Sequence, residues 1–539
     1  MLKFLNEPRE NPYPTTKKAV YGLKGMVATS QPLAAQAGLE ILKRGGNAID
    51  AAIATAACLT VVEPTSNGIG GDAFALVWTK GKLHGINGSG RSPRALSIDK
   101  VKELGYDAIP KFGWIPVTVP GAPGVWAELN RRFGKLSLLE VLQPAIQYAR
   151  DGFPLSPTLA KYWKRAYLNY KRNLQDPLFA EWFKVFAPKD RAPRVGEVWG
   201  SKDHAQTLEE IGKTNAESFY RGGLAEKIVQ FSRKTGGFFT LEDFADYKPE
   251  WVEPIHINYR GYDVWEIPPN GQGIVALEAL NILQGFKLQS LSHVDTYHYQ
   301  IEAIKLAFSD AKEYVADPGY MNIRLGDLLS DEYAEKRRSL IGNEAMVPRA
   351  GEPKGSGTVY LATADGEGNM VSFIQSNYMG FGSGIVVPGT GIALQNRGHN
   401  FSMNPNHVNA LEGGKRSYHT IIPGFLTKDH QPIGPFGVMG GFMQPQGHVQ
   451  VIVNTIDFGM DPQTALDAPR WQWVKDKIVD VEHRFPHHIA QELKAKGHEI
   501  RIQLEPNHFG RGQIIFRDPE TGVLVGGTDS RTDGTVAVW

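Results

Sequence analysis

A threonine in front of a strand-like run is the residue of this sequence whose position could do chemistry. The stretch GSGTVYLATAD, residues 355–365, places Thr358 directly behind three small residues. Threonine suits strands because it is β-branched, so a purely structural role is one interpretation. The other is cleavage of the Gly357–Thr358 bond, which makes Thr358 an N-terminal residue. Its hydroxyl could then attack a carbonyl carbon while its own α-amino group, with a pKa of about 7.7–8.0, accepts the proton.

Common catalytic and cofactor signatures are absent from the sequence. It contains no G-x-S-x-G nucleophile elbow, no G-x-x-x-x-G-K-[ST] phosphate loop and no H-E-x-x-H zinc motif. GQGIVA, residues 271–276, matches a dinucleotide-binding pattern, but two prolines precede it and no βαβ unit surrounds it. The single cysteine, Cys58, excludes an internal disulfide and argues against a structural zinc site. We therefore predict neither a metal nor a cofactor.

Composition and charge indicate a globular protein and argue against a nucleic-acid partner. The chain has 539 residues, 42% of them hydrophobic, and its 58 basic and 57 acidic side chains give a net charge of +1. This balance is not that of a nucleic-acid-binding protein. The N-terminal residues lack the apolar core of a secretory signal, and the longest apolar stretch is too short to span a membrane. We expect a cytoplasmic protein with no nucleic-acid or membrane partner.

Helices clustered between strand-rich ends predict a layered α+β fold with antiparallel strand pairs. Helices are expected within residues 31–62, where AAIATAACLTVV is apolar all round and so buried, and in IVALEALNILQGF and TYHYQIEAIKLAFSDAKEYV. A strand is expected from Ala73 to Trp78, and TVYLATAD and MVSFIQS form a hairpin around GEGN. Further strands are predicted in GIALQN, IIPGFLT, FGVMGG and the C-terminal region, with a helix in HVQVIVNTIDFG.

Glycine-rich segments far apart in the chain are a second source of chemistry. SNGIGGD, GSGRSP, GFGSG, PGTG, VMGG and GGTDSRTDG each predict a turn when taken alone. Glycine also lets backbone N–H groups approach a ligand closely, so several of these segments could supply hydrogen-bond donors. Such donors and one hydroxyl are nearly all that an N-terminal nucleophile needs, which explains the lack of a recognisable catalytic triad.

Several motifs along nearly the whole chain resemble those of the γ-glutamyltranspeptidase family of N-terminal-nucleophile hydrolases, which includes cephalosporin acylase-like members. They are MVATSQPLAAQAGLEILKRGGNAIDAAIATA, VVEPTSNGIGGDAF, VTVPGAPGVW, AIKLAFSDAKEYVADP, FGSGIVVPGTGIALQN, DPQTALDAPRW and GGTDSRTDG. The resemblance implies a four-layer αββα sandwich and a precursor that cuts itself. The large-chain region is then 1–357 and the small-chain region 358–539. The two stay associated as one catalytic domain, with a homo-oligomer as a further option.

The resemblance also implies the catalytic residues. The nucleophile falls on Thr358, and the second hydroxyl that supports it falls on Ser376 in FIQSN. The paired glycines whose backbone amides form the oxyanion hole fall on Gly440 and Gly441 in GVMGG. In other enzymes, loss of one such donor raises the barrier by about 2.7–4 kcal/mol. We expect cleavage of an amide or peptide through an acyl-enzyme, with water or an amino acid or peptide as the acceptor.

The residues aligned with the family's acyl pocket depart from the family pattern. Ser89 stands where the family has the arginine that binds the α-carboxylate of a γ-glutamyl group, and Arg91 can replace it only if a strand continues that far. The acid that binds the α-amino group falls on the neutral Asn400. Asn396 matches the family, and Arg397 adds a cation. The remaining positions expected to contact substrate are Tyr378, His419 and Thr420.

These departures leave three functions open. The first is cleavage of γ-glutamyl amides such as glutathione, as in the family at large. The second is an acylase for an acyl group that has a carboxylate but no ammonium, such as glutaryl, because the predicted pocket has basic residues and no acid. The third is an uncleaved, inactive relative that only binds a ligand.

Overall fold

Two seven-stranded sheets form the centre of the protein, whose computed structural model describes residues 17–348 and 358–539. Neighbouring strands are antiparallel in both sheets. The strands of the described residues are β1 (Val20–Gly22), β2 (Gly25–Thr29), β3 (Asp72–Thr79), β4 (Lys82–Asn87), β5 (Phe153–Pro154), β6 (Val198–Trp199), β7 (Glu250–Val252), β8 (Ile255–Tyr259), β9 (Tyr262–Glu266), β10 (Val359–Asp365), β11 (Met370–Ser376), β12 (Gly424–Lys428), β13 (Gln431–Met439), β14 (Trp471–Lys475), β15 (Ile478–Glu482), β16 (Glu499–Gln503), β17 (Arg511–Arg517), β18 (Leu524–Thr528) and β19 (Thr535–Val538).

The helices pack outside the sheets. They are α1 (Pro32–Lys43), α2 (Ala48–Val62), α3 (Ile98–Glu103), α4 (Ala122–Phe133), α5 (Leu138–Asp151), α6 (Pro157–Asn173), α7 (Ala180–Phe186), α8 (Lys202–Thr214), α9 (Glu217–Arg221), α10 (Gly223–Lys234), α11 (Leu241–Ala245), α12 (Gly273–Leu283), α13 (Val294–Tyr314), α14 (Leu325–Leu328), α15 (Asp331–Arg338), α16 (Met443–Ile456), α17 (Pro462–Asp467) and α18 (His487–Ala495). None of the helices in the described ranges is long and apolar enough to cross a bilayer.

The strand order mixes the two halves of the chain. One sheet runs β1-β18-β17-β13-β12-β9-β8, and the other runs β19-β2-β10-β11-β3-β4-β7. In the second sheet, β10 and β11, which follow Thr358, lie between β2 and β3, which precede it. Each sheet is therefore completed by strands from both sides of residue 358.

Strand periodicity explains the four layers. Along β3, Phe74 and Leu76 face a core between the two sheets, whereas Ala73, Ala75 and Val77 face the helices outside. Successive side chains of a strand point to opposite faces, so a strand between two apolar layers is apolar at every position. Helices α12, α13 and α16 cover the outer face of the other sheet. The predicted four-layer αββα sandwich is confirmed.

The predicted elements are found with one exception. The strand at Ala73–Trp78 is part of β3, the hairpin is β10–β11, and HVQVIVNTIDFG lies largely in α16. The prediction of a strand in GIALQN was wrong. In that segment the structure has only isolated bridges, from Leu394 to Gly70 and from Ala393 to Val386. The segment ends at Gln395 and Asn396, directly before Arg397.

Candidate active site

Thr358 and Ser376 lie opposite each other at the end of the β10–β11 hairpin. The hairpin register pairs Val359 with Gln375, which places Thr358 beside Ser376. The Thr358 hydroxyl donates a hydrogen bond to Ser376 Oγ at 3.2 Å, and both side chains are fully buried. Thr358 has the same strand parity as Tyr360, which faces the core between the sheets. The side chain of Thr358, the predicted nucleophile, therefore faces the core between the two sheets. Gly357 lies outside the described residues.

Ser376 is held in place from its other side. The backbone N–H of Tyr378 donates to Ser376 Oγ at 2.8 Å. Two donors thus fix this oxygen, and its position in turn orients the Thr358 hydroxyl. The geometry brings together the two hydroxyls that sequence comparison paired, while their catalytic roles stay predictions.

Ser376→Ala should lower kcat by about 10²-fold, because the Thr358 hydroxyl loses the acceptor that orients it. KM should change little, since Ser376 makes no predicted contact with the acyl group. The measurement is steady-state kinetics on processed enzyme with a chromogenic anilide. Ser372→Ala is the matched control, because Ser372 is equally buried on the same strand but bonds to Tyr360. Equal kcat values for the two variants would contradict the role of Ser376.

The predicted oxyanion hole is the turn between β13 and α16. Gly440 and Gly441 have φ values of +140° and +62°, which L side chains rarely adopt, so both positions require glycine. Gly437 of β13 packs directly on the ring of Tyr360, two residues from Thr358. This contact packs β13, which leads to the glycine pair, against β10. The side-chain amide of Gln272 donates to the Gly441 carbonyl at 2.8 Å and fixes the turn.

Arg397 is a buried cation with unused hydrogen-bond donors. Its Nη1 donates to Thr420 Oγ1 at 2.6 Å, and its guanidinium lies 4.4 Å from the ring centre of Tyr378. Nε and Nη2 are buried and have no hydrogen-bond partner among the described residues. Burial lowers the pKa of Arg397 to about 10, an effect that the charge of Asp72 opposes. Because Tyr378 also contacts Ser376, the free donors belong to the same site as Thr358.

Asn400 is engaged by its neighbours on both ends of its amide. Tyr378 donates from its hydroxyl to Asn400 Oδ1 at 2.6 Å, and Asn400 Nδ2 donates to the Tyr418 carbonyl at 3.0 Å. Burial raises the pKa of Tyr378 to about 12, so this hydroxyl keeps its proton. Asn396 accepts a bond from the Met379 N–H at 3.1 Å. Both asparagines therefore shape the loop that carries Arg397.

Asp72 is an acid next to the pocket that the sequence analysis missed. It is fully buried, it pairs with Ser376 across β3 and β11, and it accepts a bond from His419 Nε2 at 3.0 Å. Burial and the charges of Arg397 and Arg416 hold the pKa of His419 well below its usual range. The contact is thus a bond from a neutral imidazole and not an ion pair. The expectation of a pocket without an acid was wrong. The signal was available, because Asp72 opens an otherwise apolar strand.

Arg91 could replace the family's arginine only if a strand continued as far as residue 91. Strand β4 ends at Asn87, so no strand continues to Arg91. Its guanidinium is 45% exposed and bonds to Asp317 and to the Gly414 carbonyl. Ser89 is buried and donates to Asn87. Arg91 therefore does not take the place of the family's arginine through a continued strand.

One group in the described ranges has the composition of a metal site. His298, Glu302 and His498 are buried, with ligand atoms within 4.8 Å of one another. The ammonium of Lys305 already donates to Glu302 at 2.7 Å, and burial together with neighbouring lysines lowers the pKa of His498 to about 2. A cation is disfavoured beside these positive charges. The group instead binds the backbone at Gly342 and Met346.

Fold and site define an N-terminal-nucleophile hydrolase. A model described as gamma-glutamyltranspeptidase matches residues 34–539, and the chain belongs to that family. Its sequence is 65% identical to that of a cephalosporin acylase from Bacillus halodurans. The crystal structure of that protein matches with a TM-score of 0.97 over 100% of this chain and 99% of that one. It is 39% identical to the glutathione hydrolase-like YwrD proenzyme of Bacillus subtilis, covering 96% of this chain and 99% of the relative. It is 33% identical to the acylase ACY 1 proenzyme of a Pseudomonas species, over 98% and 96%.

Proposed function

We propose that the protein is a self-processing amide hydrolase whose nucleophile is Thr358 and whose acyl group carries a terminal carboxylate but no ammonium. Glutaryl is the model for such an acyl group. The observation that carries this proposal is Arg397, a buried guanidinium with Nε and Nη2 unpaired among the described residues.

The chemistry needs few protein groups. Thr358 Oγ attacks the amide carbon, and its proton passes to the Thr358 α-amino group and then to the leaving amine. The C–N bond breaks, and the acyl group stays on Thr358 as an ester. Water then attacks that ester, which releases the carboxylic acid and restores the hydroxyl. The backbone N–H groups of Gly440 and Gly441 stabilise the oxyanion in both steps.

A carboxylate on the acyl group matches the charge of the pocket. A buried cation with unmade hydrogen bonds is costly, and a carboxylate can accept two bonds from one guanidinium in parallel. An ammonium finds no equivalent partner. Asn400 is neutral, and the oxygens of Asp72 already accept bonds from Gly121, Gln395 and His419. The hydrogen-bonding groups of the pocket therefore favour glutaryl over γ-glutamyl. The names of two relatives, a cephalosporin acylase and acylase ACY 1, agree with an acylase.

The deciding experiment is a side-by-side assay of glutaryl, γ-glutamyl and butyryl p-nitroanilides on processed enzyme. We expect kcat/KM to be highest for the glutaryl compound. Butyryl tests the carboxylate, because it is the glutaryl chain with its terminal carboxylate removed. A γ-glutamyl compound that outperforms glutaryl would overturn the proposed acyl group while leaving the nucleophile untouched.

Cleavage of γ-glutamyl amides such as glutathione is the second candidate. It is favoured by the relatives named as glutathione hydrolases, including one from Bacillus subtilis that is 31% identical over 97% of this chain. It requires that the α-ammonium be tolerated beside Arg397 without an acidic partner.

Asn400→Asp should raise kcat/KM for γ-glutamyl p-nitroanilide by about tenfold relative to glutaryl, because a carboxylate at this position attracts the α-ammonium and repels a second anion. The Tyr378 hydroxyl can still donate to the new side chain. The ratio of the two anilides is the measurement. Asn409→Asp is the matched control, since Asn409 lies behind Asn400 and bonds its carbonyl. An unchanged ratio in Asn400→Asp would show that residue 400 does not face the acyl group.

A further inference from the structure

Asp72 has no hydrogen-bonding capacity left for a ligand. Its Oδ1 accepts from the Gly121 N–H at 3.1 Å and from Gln395 Nε2 at 2.9 Å. Its Oδ2 accepts from His419 Nε2 at 3.0 Å, and the Gly90 N–H also bonds to the carboxylate. An ionised carboxylate has about four acceptor sites. Asp72 can thus influence a substrate only through its charge and through the groups that it holds.

The groups bound to Asp72 are the two segments that carry Arg397. Gln395 precedes Arg397 by two residues, and His419 is the chain neighbour of Thr420, which accepts the bond from Arg397 Nη1. Asp72 and Arg397 interact through their charges, yet they form no direct ion pair within the described residues. The negative charge of Asp72 therefore opposes the cost of burying Arg397, while Nε and Nη2 have no hydrogen-bond partner among the residues that the structure describes.

The other titratable groups around Asp72 keep one charge state. His419 is neutral. Tyr220 and Tyr247, from the helical layer, have pKa values raised well above the usual range by burial and stay protonated. Arg416 lies behind His419 and pairs with Glu250. After cleavage, the α-amino group of Thr358 is the remaining group near the site that titrates close to neutrality.

We propose that Asp72 is a specificity-determining residue that sets the affinity of the pocket for an acyl carboxylate. The acyl carboxylate must share Arg397 with the carboxylate of Asp72, which its neighbours hold in place. This inference rests on the proposed function. Asp72 supplies the counter-charge of Arg397 while the pocket is empty. When a carboxylate binds, two anions face one cation, and an ionised Asp72 weakens binding. A neutral acyl group does not feel this effect.

The proposal has a defined dependence on pH. Burial raises the pKa of Asp72 to about 7, against the opposing charge of Arg397 and the hydrogen bonds from its neighbours. Above that pH Asp72 is ionised and repels the acyl carboxylate, so KM for a glutaryl amide is higher. Below it Asp72 is protonated and KM falls. Binding of a glutaryl amide is thus coupled to protonation of Asp72. The KM of a butyryl amide should not show this dependence on pH.

Asp72→Asn on processed enzyme tests the proposal. The variant can keep the bonds from Gly121 and Gln395 on its remaining oxygen, and its new amide can donate to an unprotonated His419 Nε2 at the loss of a 3.3 Å bond from the Ile421 N–H to Nδ1. We expect KM for glutaryl p-nitroanilide at pH 8 to fall by about tenfold, with no such fall for the butyryl compound. The change in glutaryl KM between pH 6 and pH 8 should shrink correspondingly. Asp72→Ser is the second neutral variant if Asp72→Asn fails to process.

The controls separate this inference from the function on which it rests. Glu278→Gln replaces another fully buried acid, located on α12, and should leave the glutaryl-to-butyryl ratio of KM at the wild-type value. A wild-type enzyme without preference for glutaryl over butyryl would overturn the proposed function. A clear wild-type preference that neither Asp72 variant alters at pH 8 would overturn the role of Asp72. Equal losses of kcat for both substrates, with unchanged KM values, would also overturn it, because they indicate a structural role alone.

Discussion

Thr358→Ala should leave the protein as a single chain of 539 residues and reduce amidase activity by roughly 10⁴-fold or more. One hydroxyl serves both steps under the proposed function, since it attacks the Gly357–Thr358 carbonyl in the precursor and the substrate carbonyl afterwards. The wild-type precursor should instead split into chains of 357 and 182 residues, the latter being 539 minus 357. Denaturing gel electrophoresis and intact mass measurement follow the splitting.

Thr358→Ser is the control for this prediction. It keeps an oxygen nucleophile in the same place, so it should split, more slowly, and retain measurable activity. A Thr358→Ala protein that still splits would mean that another residue starts the reaction. A wild-type protein that stays intact on prolonged incubation would support the third function, an inactive relative that binds a ligand.

Arg397→Gln should raise KM for glutaryl p-nitroanilide by about 10²-fold with a smaller effect on kcat. The substitution removes the charge and the donors Nε and Nη2, while an amide can still reach toward Thr420. Butyryl p-nitroanilide should lose little, because it offers no carboxylate. Steady-state kinetics with both substrates give the ratio that matters.

Arg397→Lys separates charge from geometry. Lysine restores the positive charge but not the planar pair of donors, so it should recover part of the glutaryl affinity. If Arg397→Gln weakens both substrates equally, Arg397 maintains the structure of the pocket and does not bind the acyl carboxylate. If it weakens neither, another cation binds the acyl group.

Most helices and strands were predictable because the residue patterns that indicate them lie within short, contiguous segments. The short apolar runs of the strands and the longer apolar runs of α2, α12 and α13 indicated the elements, and the motif order indicated how they combine. GIALQN failed because its apolar residues follow a strand pattern while tertiary contacts, and not a sheet, fix its backbone. A local sequence pattern does not distinguish a strand of a sheet from an apolar segment held by tertiary contacts.

The site was predictable where residue type and family position coincide. The resemblance paired Thr358 with Ser376, and the predicted hairpin contains the strands that carry them. Family position singled out neither Asp72 nor Gln272, because their importance comes from partners more than 140 positions away along the chain. The local signal for Asp72 was only that an acid opens an apolar strand. Gln272 holds both the Thr420 and Gly441 carbonyls, and the sequence showed it only as part of a glycine-rich turn.

The interleaving of β10 and β11 between β2 and β3 has a consequence for the processed protein. Before cleavage, refolding is a unimolecular search whose rate does not depend on concentration. A cut at the Gly357–Thr358 bond would turn the same search into an encounter of two chains, neither of which contains a complete seven-stranded sheet. Reassembly then obeys second-order kinetics and competes with aggregation. A processed protein therefore depends on slow unfolding to stay folded, because two separated chains rarely reassemble at the low concentrations found in a cell.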